Sequence, residues 1–131
     1  MSKSITLLCV LLFSLFSVAS DAAGQKQDPC TNPQTTFDMR NCAGKSFQES
    51  DEKLNRVYKN LMQRIEDTGE KSALKSAQLD WLKYRDSNCE FESFQNRGGT
   101  IYPVVYETCR ARMTDNRTKE LQDRIKEMNA Q

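Results

Sequence analysis

The segment 77–89 constrains the fold more than any other part of this chain of 131 residues. Read as a helix, one of its faces carries Gln78, Trp81, Arg85 and Cys89. These residues are three or four positions apart, a spacing that places side chains on the same side of a helix. The face holds the only Trp of the chain and a cysteine, so we expect it to point inward.

Two polar residues on this inward face need partners. A buried polar group without a partner costs about 1–3 kcal/mol, and a charged group costs more. We therefore expect Arg85 to pair with an acid on a neighbouring helix, with Asp51 and Glu52 as the candidates. We interpret Gln78 and Asn55 as residues that form hydrogen bonds between helices.

The N-terminus has the layout of a secretory signal peptide at residues 1–23. A basic residue, Lys3, precedes an apolar run at 5–18, and small residues follow it. The run is shorter than the roughly 20 residues of a membrane span. We expect cleavage after Ala22 or Ala23, with Ser20 as an alternative, loss of Cys9 with the signal, and no membrane anchor in the mature protein. An irregular lead-in at 24–34 and one domain at 35–131 would remain.

Four cysteines of the mature chain predict two disulfides. They are Cys30, Cys42, Cys89 and Cys109. An even number of cysteines in a small exported chain is typical of a disulfide-linked fold. Pairing Cys30 with Cys42 and Cys89 with Cys109 is favoured because each bond closes a local loop. A helical hairpin also brings Cys42 towards Cys89, so other pairings stay open.

Turn and cap residues divide the domain into three helical segments. Thr35, with an acid three residues later, indicates the first helix start. Gly69 is suited to a left-handed cap at the end of this helix, and a second helix runs from about 70 to 94. Thr100 could cap the third helix, although the β-branched residues at 101–105 also fit a short strand. The predicted fold is all-α, with three long helices in antiparallel hairpins stapled by two disulfides.

Composition argues against several classes of function. The chain has no His, so it lacks Ser-His and Cys-His nucleophile pairs, and we expect no catalytic residue, no metal site and no cofactor. Its formal net charge of +1 argues against nucleic acid as the main partner. The abundant acids are expected to be solvent-facing residues of amphipathic helices, so we predict that the protein is not an enzyme.

The break between the second and third helices is the candidate partner-binding loop. It contains Arg97, Gly98, Gly99 and Tyr102. If Cys89 pairs with Cys109, the disulfide braces this loop, and a braced loop loses less entropy on binding. Arg and Tyr are also common among binding hot spots. A plain turn between helices is the alternative interpretation.

Several motifs together resemble those of the LprI-like lysozyme-inhibitor family of bacterial secreted proteins. They are Asp38-Met39-Arg40-Asn41-Cys42-Ala43, Leu54-Asn55-x-x-Tyr58, Ala77-Gln78-x-x-Trp81-x-x-Tyr84-Arg85-Asp86-x-x-Cys89, Gly98-Gly99-Thr100-Ile101 and Thr114-x-x-Arg117-x-x-x-Leu121. The resemblance covers nearly the whole mature chain. One departure is Arg40, where a small or polar residue is more usual in the family.

This resemblance implies an all-helical, disulfide-bearing domain in the bacterial periplasm or outside the cell. It also implies binding to a lysozyme-type cell-wall hydrolase, whose cleft would be occluded without chemistry by the inhibitor. The alternative is a helical module that binds another envelope protein or a peptide and has no effect on lysozyme. The resemblance transfers no inhibitory residue to this chain.

Overall fold

The computed structural model describes residues 28–130, which form three long helices. The helices are α1 (Thr36–Arg64), α2 (Thr68–Ser93) and α3 (Tyr102–Asn129), and a short 3-10 helix (Phe94–Asn96) follows α2. No strand occurs within 28–130, and residues 102–105 belong to α3. The predicted signal peptide, 1–23, and the start of the lead-in lie outside the described residues.

The helices run up, down and up, which confirms the predicted antiparallel hairpins. At one end of the bundle, Nη1 of Arg64 near the end of α1 donates to Oδ1 of Asn129 at the end of α3. At the same end, Arg124 of α3 lies 3.5 Å from Glu70 at the start of α2. Helices α1 and α3 are therefore parallel to each other, and α2 is antiparallel to both. Helix α3 packs closely along α1 and α2, whereas the backbones of α1 and α2 approach each other much less.

Both disulfides have the favoured pairing. Cys30–Cys42 ties the lead-in to the first turns of α1, and Cys89–Cys109 ties the end of α2 to the start of α3. The second bond is deeply buried, with Cys89 fully inaccessible to solvent. In the chain-entropy account, loops of this length give each bond about 3 kcal/mol of stabilisation.

The ends of the helices confirm one predicted cap and correct two. Thr35 and Asp38 form a reciprocal capping box at the start of α1. Gly69 is not a left-handed cap, because α1 already ends at Arg64 and Asp67 caps α2 by accepting a hydrogen bond from the Glu70 amide at 2.7 Å.

Thr100 is not the cap of α3 either. This helix begins one residue later than predicted, with Ile101 at the N-cap and no side-chain cap.

The apolar core occupies only one half of the bundle. Its buried members are Leu54, Leu61, Ile65 and Leu121, in the half where α1 and α3 end. Towards the other end, the buried positions are held by the second disulfide, by Ala43 and Ala111, and by small polar residues, namely Ser93, Thr114 and, near the middle of the bundle, Ser50 and Thr118. Ser93 and Thr118 donate to backbone carbonyls of their own helices at 2.7 and 2.9 Å, so their hydroxyls are satisfied.

Arg85 joins all three helices within this polar half. Its side chain is 5% exposed, and its Nη1 donates to Oδ1 of Asp51 on α1 at 3.2 Å. The same nitrogen donates to Oγ1 of Thr114 on α3 at 3.3 Å, and Nε donates to Oδ1 of Asp86 on α2 at 2.9 Å. Asp51 is one of the two acids expected from the sequence. The guanidinium fills the wide gap between α1 and α2.

Arginines and aromatic rings alternate in a column through the same region. The Arg85 guanidinium lies 5.4 Å from the Trp81 ring centroid and 5.1 Å from that of Phe47. The Arg110 guanidinium lies 3.7 Å from the Phe47 centroid and 5.3 Å from that of Tyr106. Nη1 of Arg110 donates to the carboxylate of Glu107 on its own helix at 3.2 Å. Nε of Arg110 is buried, and its 3.3 Å approach to Asp86 lacks hydrogen-bond geometry. Burial raises the pKa of the Tyr106 hydroxyl.

The other two polar residues singled out from the sequence differ in their contacts. Gln78 is buried and accepts a hydrogen bond from Nε of Arg117 on α3 at 3.1 Å, so it links two helices. Asn55 does not link helices: it is exposed and donates to Oδ2 of Asp51 on its own helix at 3.0 Å. The residues are four apart on α1, which brings the amide beside the carboxylate. Asn55 thus orients the acid that Arg85 binds.

We predict that Arg85→Ala lowers the free energy of unfolding by about 2–4 kcal/mol, because it leaves a cavity and removes the partner of two acids. The value lies towards the lower end because Asp51 and Asp86 remain 37% and 46% exposed and stay partly hydrated. Denaturant unfolding monitored by circular dichroism measures it. Lys83→Ala is the matched control, since this exposed ion pair with Asp80 is worth well under about 1 kcal/mol. Equal stability of the two variants would contradict the prediction.

Candidate binding surface

The predicted loop lies at the end of the bundle where α1 and α3 begin and α2 ends. A groove of about 500 Å³ runs between the first turn of α1 and this loop. We call this region the loop-end surface, and it is lined by Thr36, Phe37, Arg40, Gly98, Gly99, Thr100 and Pro103. Its two walls come from distant parts of the sequence, which the parallel arrangement of α1 and α3 brings together.

The loop is a tight turn of defined conformation. The Arg97 amide donates to the Phe94 carbonyl at 3.2 Å, and the Gly99 amide donates to the Asn96 carbonyl at 3.0 Å. Gly98 has φ +78, the left-handed region that side chains disfavour. A Cβ at Gly99 would lie 3.2 Å from the Asn96 carbonyl oxygen, so that position is also crowded.

Glu90 near the end of α2 holds both flanks of this turn. Its two carboxylate oxygens accept from Nη2 of Arg97 at 2.9 Å and from the hydroxyl of Tyr102 at 2.8 Å. The hydrogen bond from Arg97, then that from Tyr102, holds the pKa of Glu90 below its ordinary value. Tyr102 also stacks on Tyr106, with ring centroids 5.9 Å apart, and so connects the loop to the column of arginines and rings.

The structure separates the four loop residues predicted from the sequence into two groups. Gly98 and Gly99 line the groove and are exposed. Arg97 folds back on Glu90 and over the Phe94 ring, 4.7 Å from its centroid, and Tyr102 is half-buried. Arg97 and Tyr102 therefore brace the turn, and neither projects as a free finger.

Two residues of α1 that sequence reasoning missed present the exposed groups of this surface. Phe37 is 69% exposed, although large apolar side chains are normally buried. Arg40 is also exposed, and within residues 28–130 no carboxylate lies within 4.0 Å of it. Both are near the start of α1, and an up-down-up bundle places that start beside the start of α3. The predicted antiparallel arrangement of three helices could therefore have indicated that Phe37 and Arg40 lie beside the loop.

Neither metal binding nor membrane insertion is indicated by the described part of the chain. Among residues 28–130, no group of three or more Cys, Asp or Glu is arranged to hold a metal ion. None of the helices there combines the length and the hydropathy that a membrane crossing requires.

Comparison with known proteins identifies the family. Residues 27–121 match the family described as lysozyme inhibitor LprI. The chain belongs to the LprI lysozyme inhibitor family. It is 30% identical over 122 residues to an uncharacterised protein of Rhizobium meliloti (strain 1021), covering 83% of this chain and 88% of that protein.

A solved structure has the same fold. The crystal structure of a DUF1311 family protein from Pseudomonas putida KT2440 matches this chain with a TM-score of 0.65 and 24% identity. The match covers 70% of this chain and 95% of that one. At this identity the likeness establishes the fold alone. The disulfides and LprI membership are typical of proteins outside the cytoplasm.

We predict that Gly98→Ala destabilises this LprI-family protein by about 1–2 kcal/mol, because at φ +78 a Cβ lies too close to the carbonyl oxygen of the adjoining peptide, although the space around it is otherwise open. Gly44→Ala is the matched control. Gly44 lies inside α1, and beyond its neighbours and its own helix backbone no atom lies within 4 Å of the position that a Cβ would take, so alanine there should stabilise by roughly 0.5–1 kcal/mol. Thermal and denaturant unfolding measure both changes. A neutral or stabilising Gly98→Ala would show that the turn does not need the left-handed conformation.

We predict that acid loosens the turn at residues 97–101. The lowered pKa of Glu90 means that its ionised form stabilises the folded loop at pH values above its ordinary value of 4.5. This contribution is lost as the pH falls through the lower folded-state pKa. Nuclear magnetic resonance of the Gly98, Gly99 and Tyr102 amides should report the opening. Glu90→Gln should remove the pH dependence, and an unchanged profile in that variant would assign the opening to another group.

Proposed function

We propose that this protein binds a lysozyme-type cell-wall hydrolase through the loop-end surface and blocks its cleft. The observation that carries the proposal is the groove of an LprI-family protein, in which an exposed ring and an exposed guanidinium flank a braced turn. The protein acts by occupying the cleft and performs no chemistry of its own. Its site of action is the periplasm or the exterior of a bacterial cell.

The exposed groups of the surface are of the type that dominates binding energy. Interface hot spots are rich in aromatic and Arg side chains that enter pockets of the partner. Phe37 is 69% exposed and Phe94 is 52% exposed at the same end of the bundle, so their burial in a complex would remove a large apolar area from water.

Electrostatics favours an acidic partner cleft. Lysozymes are glycoside hydrolases, and these enzymes cleave with a pair of carboxyl groups in the cleft. Arg40 has no carboxylate within 4.0 Å among residues 28–130, so its charge is available to such a cleft. Arg40 would therefore add to the affinity that the loop and Phe37 supply.

The bracing of the turn reduces the entropy that binding removes. Cys89–Cys109 ties the two helices that carry the turn, and Glu90 holds both of its flanks. A surface already ordered before association loses less conformational freedom on binding. This gives Arg97 and Tyr102 a supporting role, and it gives Phe37 and Arg40 the contacts with the partner.

We predict that the oxidised mature protein inhibits lysis of a bacterial cell-wall suspension by lysozyme, and that Arg40→Ala and Phe37→Ala each weaken inhibition by at least about tenfold. Arg97→Ala should have a smaller effect, since its guanidinium is already bound to Glu90. Turbidity and direct binding by calorimetry measure the effect against several lysozyme types.

Two matched controls separate the surface from general damage. Arg56→Ala changes an exposed arginine of α1 well away from the groove, and Leu79→Ala changes an exposed apolar residue of α2. Both should inhibit as the natural protein does. If the folded, oxidised protein protects against none of the lysozymes, the proposal is wrong, and the alternative of a module that binds another envelope protein or a peptide takes its place.

A further inference from the structure

A second groove lies between α2 and α3 and shares no lining residue with the loop-end surface. Its volume is about 310 Å³, at the lower end of the range of small-ligand sites. Helix α2 contributes Trp81, Tyr84, Asn88 and Glu92, which are three or four positions apart, and α3 contributes Arg112 and Asn116 among others. We call this region the interhelix groove.

The charges of the interhelix groove cancel within it. Nη2 of Arg112 donates to both carboxylate oxygens of Glu92, at 2.9 and 2.8 Å. Nη1 of Arg117 donates to Glu120 at 2.8 Å. The two arginines and two acids that line the groove are thus paired with each other, which disfavours a strongly charged ligand of either sign.

The two amide side chains of the groove keep hydrogen-bonding capacity. Nδ2 of Asn88 donates to Glu92 at 2.8 Å, so the amide is fixed and its oxygen remains an acceptor. Asn116 on the facing helix is exposed, and its side chain forms no hydrogen bond within residues 28–130. Both planar amides therefore offer donors or acceptors to a ligand between the helices.

An aromatic ring supplies the apolar part of the groove. Tyr84 is 58% exposed, which leaves its ring free to cover the flat apolar face of a ligand. Trp81 is less accessible, because the guanidiniums of Arg85 and Arg117 lie 5.4 and 5.9 Å from its ring centroid. Tyr84 is therefore the ring on which a ligand would stack, and Trp81 lines the groove beside it.

We propose that the interhelix groove binds a neutral oligosaccharide. A sugar ring presents an apolar face of C–H groups and a rim of hydroxyls that both donate and accept hydrogen bonds. The exposed Tyr84 ring matches the face, and the two amides and the paired charges match the rim, with no net charge to repel or attract. Because the two surfaces are separate, a bound saccharide would leave the loop-end surface free.

The only Trp of the chain lines this groove, so its fluorescence reports binding directly. Titration with chitotetraose, and with cellotetraose in parallel, should give a saturable change in emission. Tyr84→Ala and Asn116→Ala should each weaken binding by about tenfold. Both residues are exposed, so neither change should affect folding. Leu79→Ala is the control, an exposed apolar residue of α2 outside the groove.

Nuclear magnetic resonance tests for binding independently, in case a bound saccharide leaves the Trp81 emission unchanged. Amide chemical shifts recorded with the same two saccharides should move at residues of the interhelix groove and stay constant at Gly98 and Gly99. Absence of any saturable shift at millimolar saccharide would overturn the proposal, as would shifts confined to other surfaces. Preferential binding of a sulfated oligosaccharide would also overturn it, because the groove would then be selecting charge.

Discussion

The buried Arg85 guanidinium is the interaction on which the rest of the structure depends. Helices α1 and α2 are connected by only three residues, yet their backbones stay apart, and Arg85 fills the space with contacts to all three helices. These contacts restrict the separation of the helices, because the planar donors of the guanidinium must reach Asp51, Asp86 and Thr114 at the same time.

The contacts of Arg85 also help to support the loop end of the bundle, since the buried Leu and Ile residues of the core lie in the opposite half. From Arg85 the contacts continue through Phe47 and Arg110 to Tyr106, and then by ring stacking to Tyr102, whose hydroxyl donates to Glu90. Cation–π contacts are weak singly, but each is stronger where water is excluded. The turn at 97–101 therefore rests on a polar and aromatic interior, and the apolar core stabilises the opposite end of the bundle.

The sequence predicted the helices from local spacing, and it favoured the disulfide pairing that is found because each bond closes a local loop. For Arg85 it predicted an acid on a neighbouring helix, with Asp51 as one of two candidates, because a buried charge needs a partner. The capping box at Thr35 and the inward face of α2 are properties of neighbouring residues in one helix. The wrong predictions at the Gly69 cap and at the binding surface also have physical causes. Gly69 is not the C-cap of α1, because Asp67 is already the N-cap of α2. Its carboxylate accepts a hydrogen bond from the Glu70 amide, so Gly69 belongs to the first turn of α2. The loop-end surface could be predicted only in half, since Phe37 and Arg40 join it through the packing of α1 beside α3.

The near-neutral charge of the chain conceals how its charges are distributed. Most arginines of residues 28–130 are paired with acids. Arg85 and Arg110 are examples inside the bundle, and Arg97 with Glu90 and Arg112 with Glu92 are examples at its surface. An arginine that is already bound to an acid gains little free energy by binding a partner, because the new contact must first break the existing one. Net charge is therefore a poor guide to binding in this protein. The two grooves differ in how their charges are paired. The loop-end surface exposes a guanidinium with no carboxylate within 4.0 Å among residues 28–130, whereas the charges of the interhelix groove cancel locally. The first favours an anionic cleft, and the second favours a neutral ligand.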